Sequence, residues 1–113
     1  MFNFDADIPF DRLVNQTVWW ACFSELGCKI EFGNRDKIVF FDFQKFAHDN
    51  GWNIDVAIKN MTKLPHNELI KFSIENRNLL EMKFSNNLTL KFFDYSDEFE
   101  NFDFIIGGEI YTV

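Results

Sequence analysis

Residues 79–106 decide the fold class. They open as Leu79-Leu80-Glu81-Met82-Lys83-Phe84, turn at Ser85-Asn86-Asn87 and return as Leu88-Thr89-Leu90-Lys91-Phe92-Phe93. An acidic connector, Asp94-Tyr95-Ser96-Asp97-Glu98, leads into Phe99-Glu100-Asn101-Phe102-Asp103-Phe104-Ile105-Ile106. Leu80, Met82 and Phe84 alternate with Glu81 and Lys83; Leu88, Leu90 and Phe92 alternate with Thr89 and Lys91; Phe102, Phe104 and Ile106 bracket Asp103. Alternation with period two puts one set of side chains in a core and the other in water, which is a strand pattern. Asn86-Asn87 tolerates positive φ and suits a tight hairpin turn. Three antiparallel strands are expected here.

The same pattern appears upstream. Thr17-Val18-Trp19-Trp20-Ala21-Cys22-Phe23 is β-branched and aromatic on both faces, which predicts a central strand. Glu25-Leu26-Gly27 turns the chain, Cys28-Lys29-Ile30-Glu31-Phe32 returns, Gly33-Asn34-Arg35-Asp36 turns again, and Ile38 to Phe43 is a third apolar strand. Residues 1–8 read as an extended arm or edge strand, and Pro9 opens a short turn over Phe10–Val14, where Pro and Asp11 suit a helical first turn.

Between the two β-rich parts the pattern changes. Asp42 is placed to cap a short helix through Phe43–Asp49 that Gly51 stops. Residues 54–63 fit both a strand and a helix, and the length of the run favours a helix ended by Pro65. Glu68–Ile74 fits either a helical turn or a strand. Asn15–Phe32 and Asn76–Phe92 resemble each other, each being a polar lead-in, a strand, a tight turn and a strand. The expected architecture is a single α+β domain over residues 1–113. It is mainly antiparallel sheet from two similar hairpin units, with one or two short helices in the middle.

Composition narrows the function classes. The 113 residues include 16 Phe, most of which must fill the core and some of which must remain partly exposed. Eighteen acids against 11 bases give a formal charge of −7. That argues against direct binding to nucleic acid or to an anionic membrane, both of which need clustered Lys and Arg, and it suits a basic protein partner. The N-terminus, Met1-Phe2-Asn3-Phe4-Asp5-Ala6-Asp7, carries acids where a signal peptide needs bases, and no apolar run reaches transmembrane length. A cytoplasmic location is expected, with Cys22 and Cys28 as buried reduced thiols that flank a turn, from where they could face each other across a hairpin.

No catalytic constellation, cofactor motif or metal-ligand spacing is evident. His48 and His66 lie at predicted loops or helix ends, and Gly107-Gly108 is a two-residue turn that precedes no helix, unlike a phosphate-binding loop. One cluster rises above this background. Asp94, Asp97, Glu98, Glu100 and Asp103 fall in a stretch without a base, interleaved with Tyr95, Phe99 and Phe102. Carboxylates steer a basic partner and set register, while desolvated rings supply affinity. Asp94, Tyr95, Asp97, Glu98, Phe99 and Glu100 are therefore the candidate partner-binding residues.

The run Leu88–Phe104, an apolar strand, an Asp-rich connector and an aromatic–acid–polar–aromatic step at Phe99–Phe102, resembles the C-terminal part of small bacterial proteins found beside polymorphic toxins. The acidic, aromatic-rich, single-domain build is similar to immunity proteins of contact-dependent inhibition systems. That resemblance implies a non-enzymatic cytoplasmic inhibitor, without cofactor, that binds one cognate toxin domain, often a nuclease. Two other classes fit parts of the sequence. A DNA-mimicking nuclease inhibitor uses the same acidity, but the interspersed bases from Arg12 to Lys91 oppose it. A small-ligand β domain needs a concave pocket with converging polar groups.

Overall fold

The computed structural model describes residues 4–5, 7–24, 27–94 and 102–113. The chain begins with a short 3-10 turn over Phe10–Leu13 and continues with β1 (Val18–Ser24), β2 (Gly27–Phe32) and β3 (Lys37–Phe40). Two helices come next, α1 (Phe43–Asp49) and α2 (Ile54–Thr62), then β4 (Leu69–Glu75), β5 (Leu79–Phe84), β6 (Thr89–Phe93), β7 (Phe102–Ile106) and β8 (Glu109–Thr112). All strand pairs are antiparallel. They form a five-stranded sheet in the order β1-β2-β3-β7-β8 and a three-stranded sheet in the order β4-β5-β6. The α+β expectation holds, and the helices lie between the two β-rich parts.

Local signals placed the helices. The Asp42 carboxylate accepts a hydrogen bond from the Lys45 backbone N–H at 2.9 Å and so caps α1, and Gly51 follows its end at φ 77°. Asn53, a cap not anticipated, does the same for α2 by accepting from Val56 N–H at 2.9 Å. Apolar residues at helical spacing then face inward: Ala57 and Met61 of α2 are buried, with Leu64 just beyond it. The ambiguous stretch after Pro65 is the strand β4. The apolar run from Ile38 divides, because the strand ends at Phe40 and Phe43 already belongs to α1.

Three placements differ from the sequence reading. First, β1 is an edge strand, not a central one. Its apolar residues on both faces arise from a bulge: Val18 pairs with Phe32 but Trp20 pairs with Glu31. The extra residue turns both tryptophans outward, leaving Trp19 63% and Trp20 39% exposed. Second, β7 does not extend the β5-β6 hairpin. It crosses to the other sheet and pairs with β3 and β8. Third, the internal repeat is a three-strand unit in another register. β1-β2-β3 matches β4-β5-β6, with Val18 corresponding to Leu69, Phe32 to Phe84 and Phe40 to Phe92. Both first strands carry a bulge after their first residue. Alternating patterns match one another whichever strands are laid together, and only the bulge marks the true register.

The repeat is symmetric down to its hydrogen bonds. Val18 N–H donates to Asn67 O at 2.8 Å as Leu69 N–H donates to Gln16 O at 3.0 Å. His66 N–H donates to Val18 O at 2.7 Å as Asn15 N–H donates to Leu69 O at 2.7 Å. Asn15 and His66 share a positive φ, 70° and 73°. A bridge between Thr17 and Glu68 lies at the centre, so the two sheets are joined at a pseudo-twofold crossing.

The core between the sheets is built of rings. Phe92 of β6 meets Phe40 of β3 at 5.9 Å, Phe102 of β7 at 5.4 Å and Phe46 of α1 at 5.3 Å. Phe10 meets Phe104 edge-on at 4.9 Å, and Phe4 of the N-terminal arm packs on Phe102 and Phe104. Each such ring buries a large apolar area, with edge-to-face geometry adding to it. The neighbours Phe40 and Phe41 point oppositely, one buried and one 51% exposed. Phe40→Ala is expected to lower stability by about 3–5 kcal/mol, and Phe41→Ala to change it by less than about 0.5 kcal/mol, in urea unfolding curves. Equal effects would show that the alternation is misassigned here.

Candidate partner-binding site

The acidic connector joins β6 to β7 and so spans from one sheet to the other. Among the candidate residues, Tyr95, Asp97, Glu98, Phe99 and Glu100 lie outside the described residues. Asp94, at the end of β6, is described and is only 5% exposed. Its backbone N–H donates to Asn78 O at 2.9 Å, which ties the start of the connector to the β4-β5 turn. Asp94 is thus buried, where the sequence reading expected a surface carboxylate. At the far end Phe102 exchanges both backbone hydrogen bonds with Val113, at 2.9 and 2.8 Å. The loop is thus held at both feet. Asp103 projects onto the outer face of the larger sheet, where it accepts from the Thr112 hydroxyl at 2.9 Å.

That outer face carries the aromatic signal that the sequence reading missed. Register places Trp20, Glu31, Lys37, Ile105 and Ile110 in one row across the five strands. The Trp20 indole N–H donates to the Glu31 carboxylate, Lys29 Nζ sits 5.0 Å from the indole ring centroid, and Glu31 pairs with Lys37 at 3.5 Å. A cation over an indole face is attracted by the ring quadrupole. Trp20 is therefore held in place. Trp19 lies against Gly33, where an added Cβ would come 2.8 Å from Trp19 Nε1. Two adjacent tryptophans cannot both face inward on a regular strand, and that is the signal which points to an exposed ring here.

The remaining candidates separate. Cys22 pairs with Lys29 and Cys28 with Phe23, so the two thiols stand one position apart on opposite faces and do not face each other. Both are free, but Cys22 is exposed, contrary to expectation, whereas Cys28 is buried. Burial, reinforced by the nearby Cys22, pushes the Cys28 thiol up to about 12. His48, near the end of α1, stands in solvent with Nδ1 3.7 Å from Asp49, and His66 contributes its backbone to the crossing. Gly107 and Gly108 form the expected β7-β8 turn at φ 62° and 85°. Gly107 N–H also donates to the buried Asp36 carboxylate at 3.0 Å, fastening this turn to the β2-β3 turn. Among the described residues no three His, Cys, Asp or Glu side chains converge as metal ligands, and no helix is long and apolar enough to cross a membrane.

Comparisons with models of protein families, with curated proteins and with solved structures give no match.

The thiol environments predict a sharp difference in reactivity. With iodoacetamide at pH 8 the native chain should label quickly at Cys22 alone, and Cys22→Ser should abolish the fast phase, because the thiolate is the nucleophile and Cys28 is held protonated. Cys28 should label only in denaturant. Rapid labelling of both thiols, read by mass spectrometry, would contradict the buried position of Cys28.

Proposed function

We propose that this chain is an immunity protein: a non-catalytic inhibitor that binds a cognate toxin domain in the cytoplasm and needs no cofactor. The observation that carries this reading is the concentration of carboxylates and rings, without a base, in a connector whose two ends are fixed to different sheets. A loop anchored at both feet loses less conformational entropy on binding than a free tail of the same composition. Asp97, Glu98 and Glu100 supply the negative potential that attracts Lys and Arg lining a nucleic-acid cleft, and Tyr95 and Phe99 are the anchors. The overall charge of −7 favours a basic partner over nucleic acid.

The direct test is co-expression with the product of the neighbouring reading frame. A stable complex and relief of growth arrest are expected, and the absence of both would refute the proposal. In that complex Asp97→Lys combined with Glu98→Lys should slow association by roughly ten-fold or more at low salt and flatten its ionic-strength dependence, while leaving dissociation less affected. Stopped-flow rates that match the wild type at every salt concentration would remove the connector from the interface.

A further inference from the structure

Sheet edges expose rows of unpaired backbone groups, and proteins protect them with charge, short length or cover. Three of the four edges here are protected. β4 carries Lys71 and Glu75. β6 is closed by the Asn50 side chain, which accepts from Lys91 N–H at 2.8 Å and donates to Lys91 O at 2.9 Å, as a neighbouring strand would. β8 is four residues long and opens with Glu109. β1 differs, since Val18–Ser24 contains no charged residue.

The open part of β1 can be located. Phe32 N–H bonds Asp36 O towards β3, while Gly33 N–H bonds Thr17 O towards β1. Even-numbered residues of β2 therefore face β3, and odd-numbered ones bond to Trp20, Cys22 and Ser24 of β1. Ala21 and Phe23 must then point their N–H and C=O groups away from the sheet. At Val18 those groups are taken by Asn67 and His66, but among the described residues no such partner is found for Ala21 or Phe23. A groove of about 700 Å³ adjoins this edge. It is lined by Phe23 of β1, Phe41 and Phe43 of the β3-α1 junction, and Ile54 and Ile58 of α2. Among the described residues that line it, the Asp42 carboxylate is the one charged group. Phe43 stacks on Phe23 at 5.5 Å, while Phe41 and Ile54 remain exposed.

We propose that the groove beside β1 binds an extended, apolar segment of a partner protein as an added strand. The unpaired groups of Ala21 and Phe23 call for another backbone, not for a compact ligand. An extended chain sends alternate side chains to one face, which the groove between β1 and α2 receives. The carboxylate of Asp42, in a protein of net charge −7, selects a neutral or basic segment over an acidic one. This site is independent of the connector and does not rest on the toxin reading.

The probe is a decapeptide of alternating isoleucine and lysine, followed by NMR on the intact chain. Shifts should concentrate on β1, residues 41–44 and the start of α2, and the Ala21 and Phe23 amides should exchange more slowly. Methylating the peptide nitrogens that face β1 should weaken binding roughly ten-fold or more, since each lost strand bond is worth about 1 kcal/mol. Ala21→Pro should do the same, because Pro is tolerated on an edge where the missing N–H points outward. Phe41→Ser should weaken binding without touching the strand, so a misfolded Ala21→Pro chain would not end the test. The Asp97→Lys, Glu98→Lys pair should leave the location of the shifts on β1, residues 41–44 and α2 unchanged. Shifts scattered over the surface, or equal binding by the methylated peptide, would overturn the proposal. Sedimentation showing that the chain dimerises through β1, with Ala21→Pro restoring the monomer, would overturn it in favour of a second copy.

Discussion

Four backbone hydrogen bonds hold the two halves of this protein in register. They link Val18 with Asn67 and His66, and Leu69 with Asn15 and Gln16, around the bridge from Thr17 to Glu68. A backbone group buried without a partner costs about as much as a lost hydrogen bond, so this crossing admits little slippage. Asn15 and His66 adopt positive φ at equivalent points, three residues before Val18 and Leu69. From there the two three-strand units diverge as pseudo-symmetric partners. Val18 and Leu69, both buried, start them on the core side.

The symmetry ends where the third strand of each unit ends. After β3 the chain makes two helices, and after β6 it crosses to the other sheet and adds β7 and β8. The result is an enlarged sheet of five strands against one of three, with Phe92 touching rings from β3, β7 and α1 at once. Interiors pack at crystal-like density, so a ring that bridges several elements couples their positions. Helix α1 closes the β6 edge through Asn50, while α2 lies beside β1 without pairing with its backbone. The asymmetry leaves one edge covered and another open.

The same asymmetry places the acidic connector. It exists because β7 belongs to the sheet opposite β6, and its feet are set by Asp94 on Asn78 and by Phe102 on Val113. A hairpin between β6 and β7 would have shortened it to a turn. The described ends of the connector thus belong to different sheets. The outer face of the larger sheet carries Trp20 and Ile110 along the row that also contains Glu31 and Lys37. A sheet face that exposes rings among charges has the make-up of a protein-contact surface, since aromatic side chains provide contact area and charges set approach.

Local chemistry determined much of this on its own. Alternation at Leu80, Met82 and Phe84 marked a strand, Asp42 marked the start of α1, and Gly107-Gly108 marked a turn, because period, cap and positive φ each act within a few residues. The acidic connector was legible for the same reason, as a cluster in the chain itself. Which strands lie side by side was decided only by the tertiary structure. Period two says which face of β7 is apolar but not whether β6 or β3 is its neighbour, and the apolar β1 reads as central although the strand order makes it an edge. Asp94 looked like part of a charged surface and is buried, because exposure depends on what packs over a residue from distant parts of the chain.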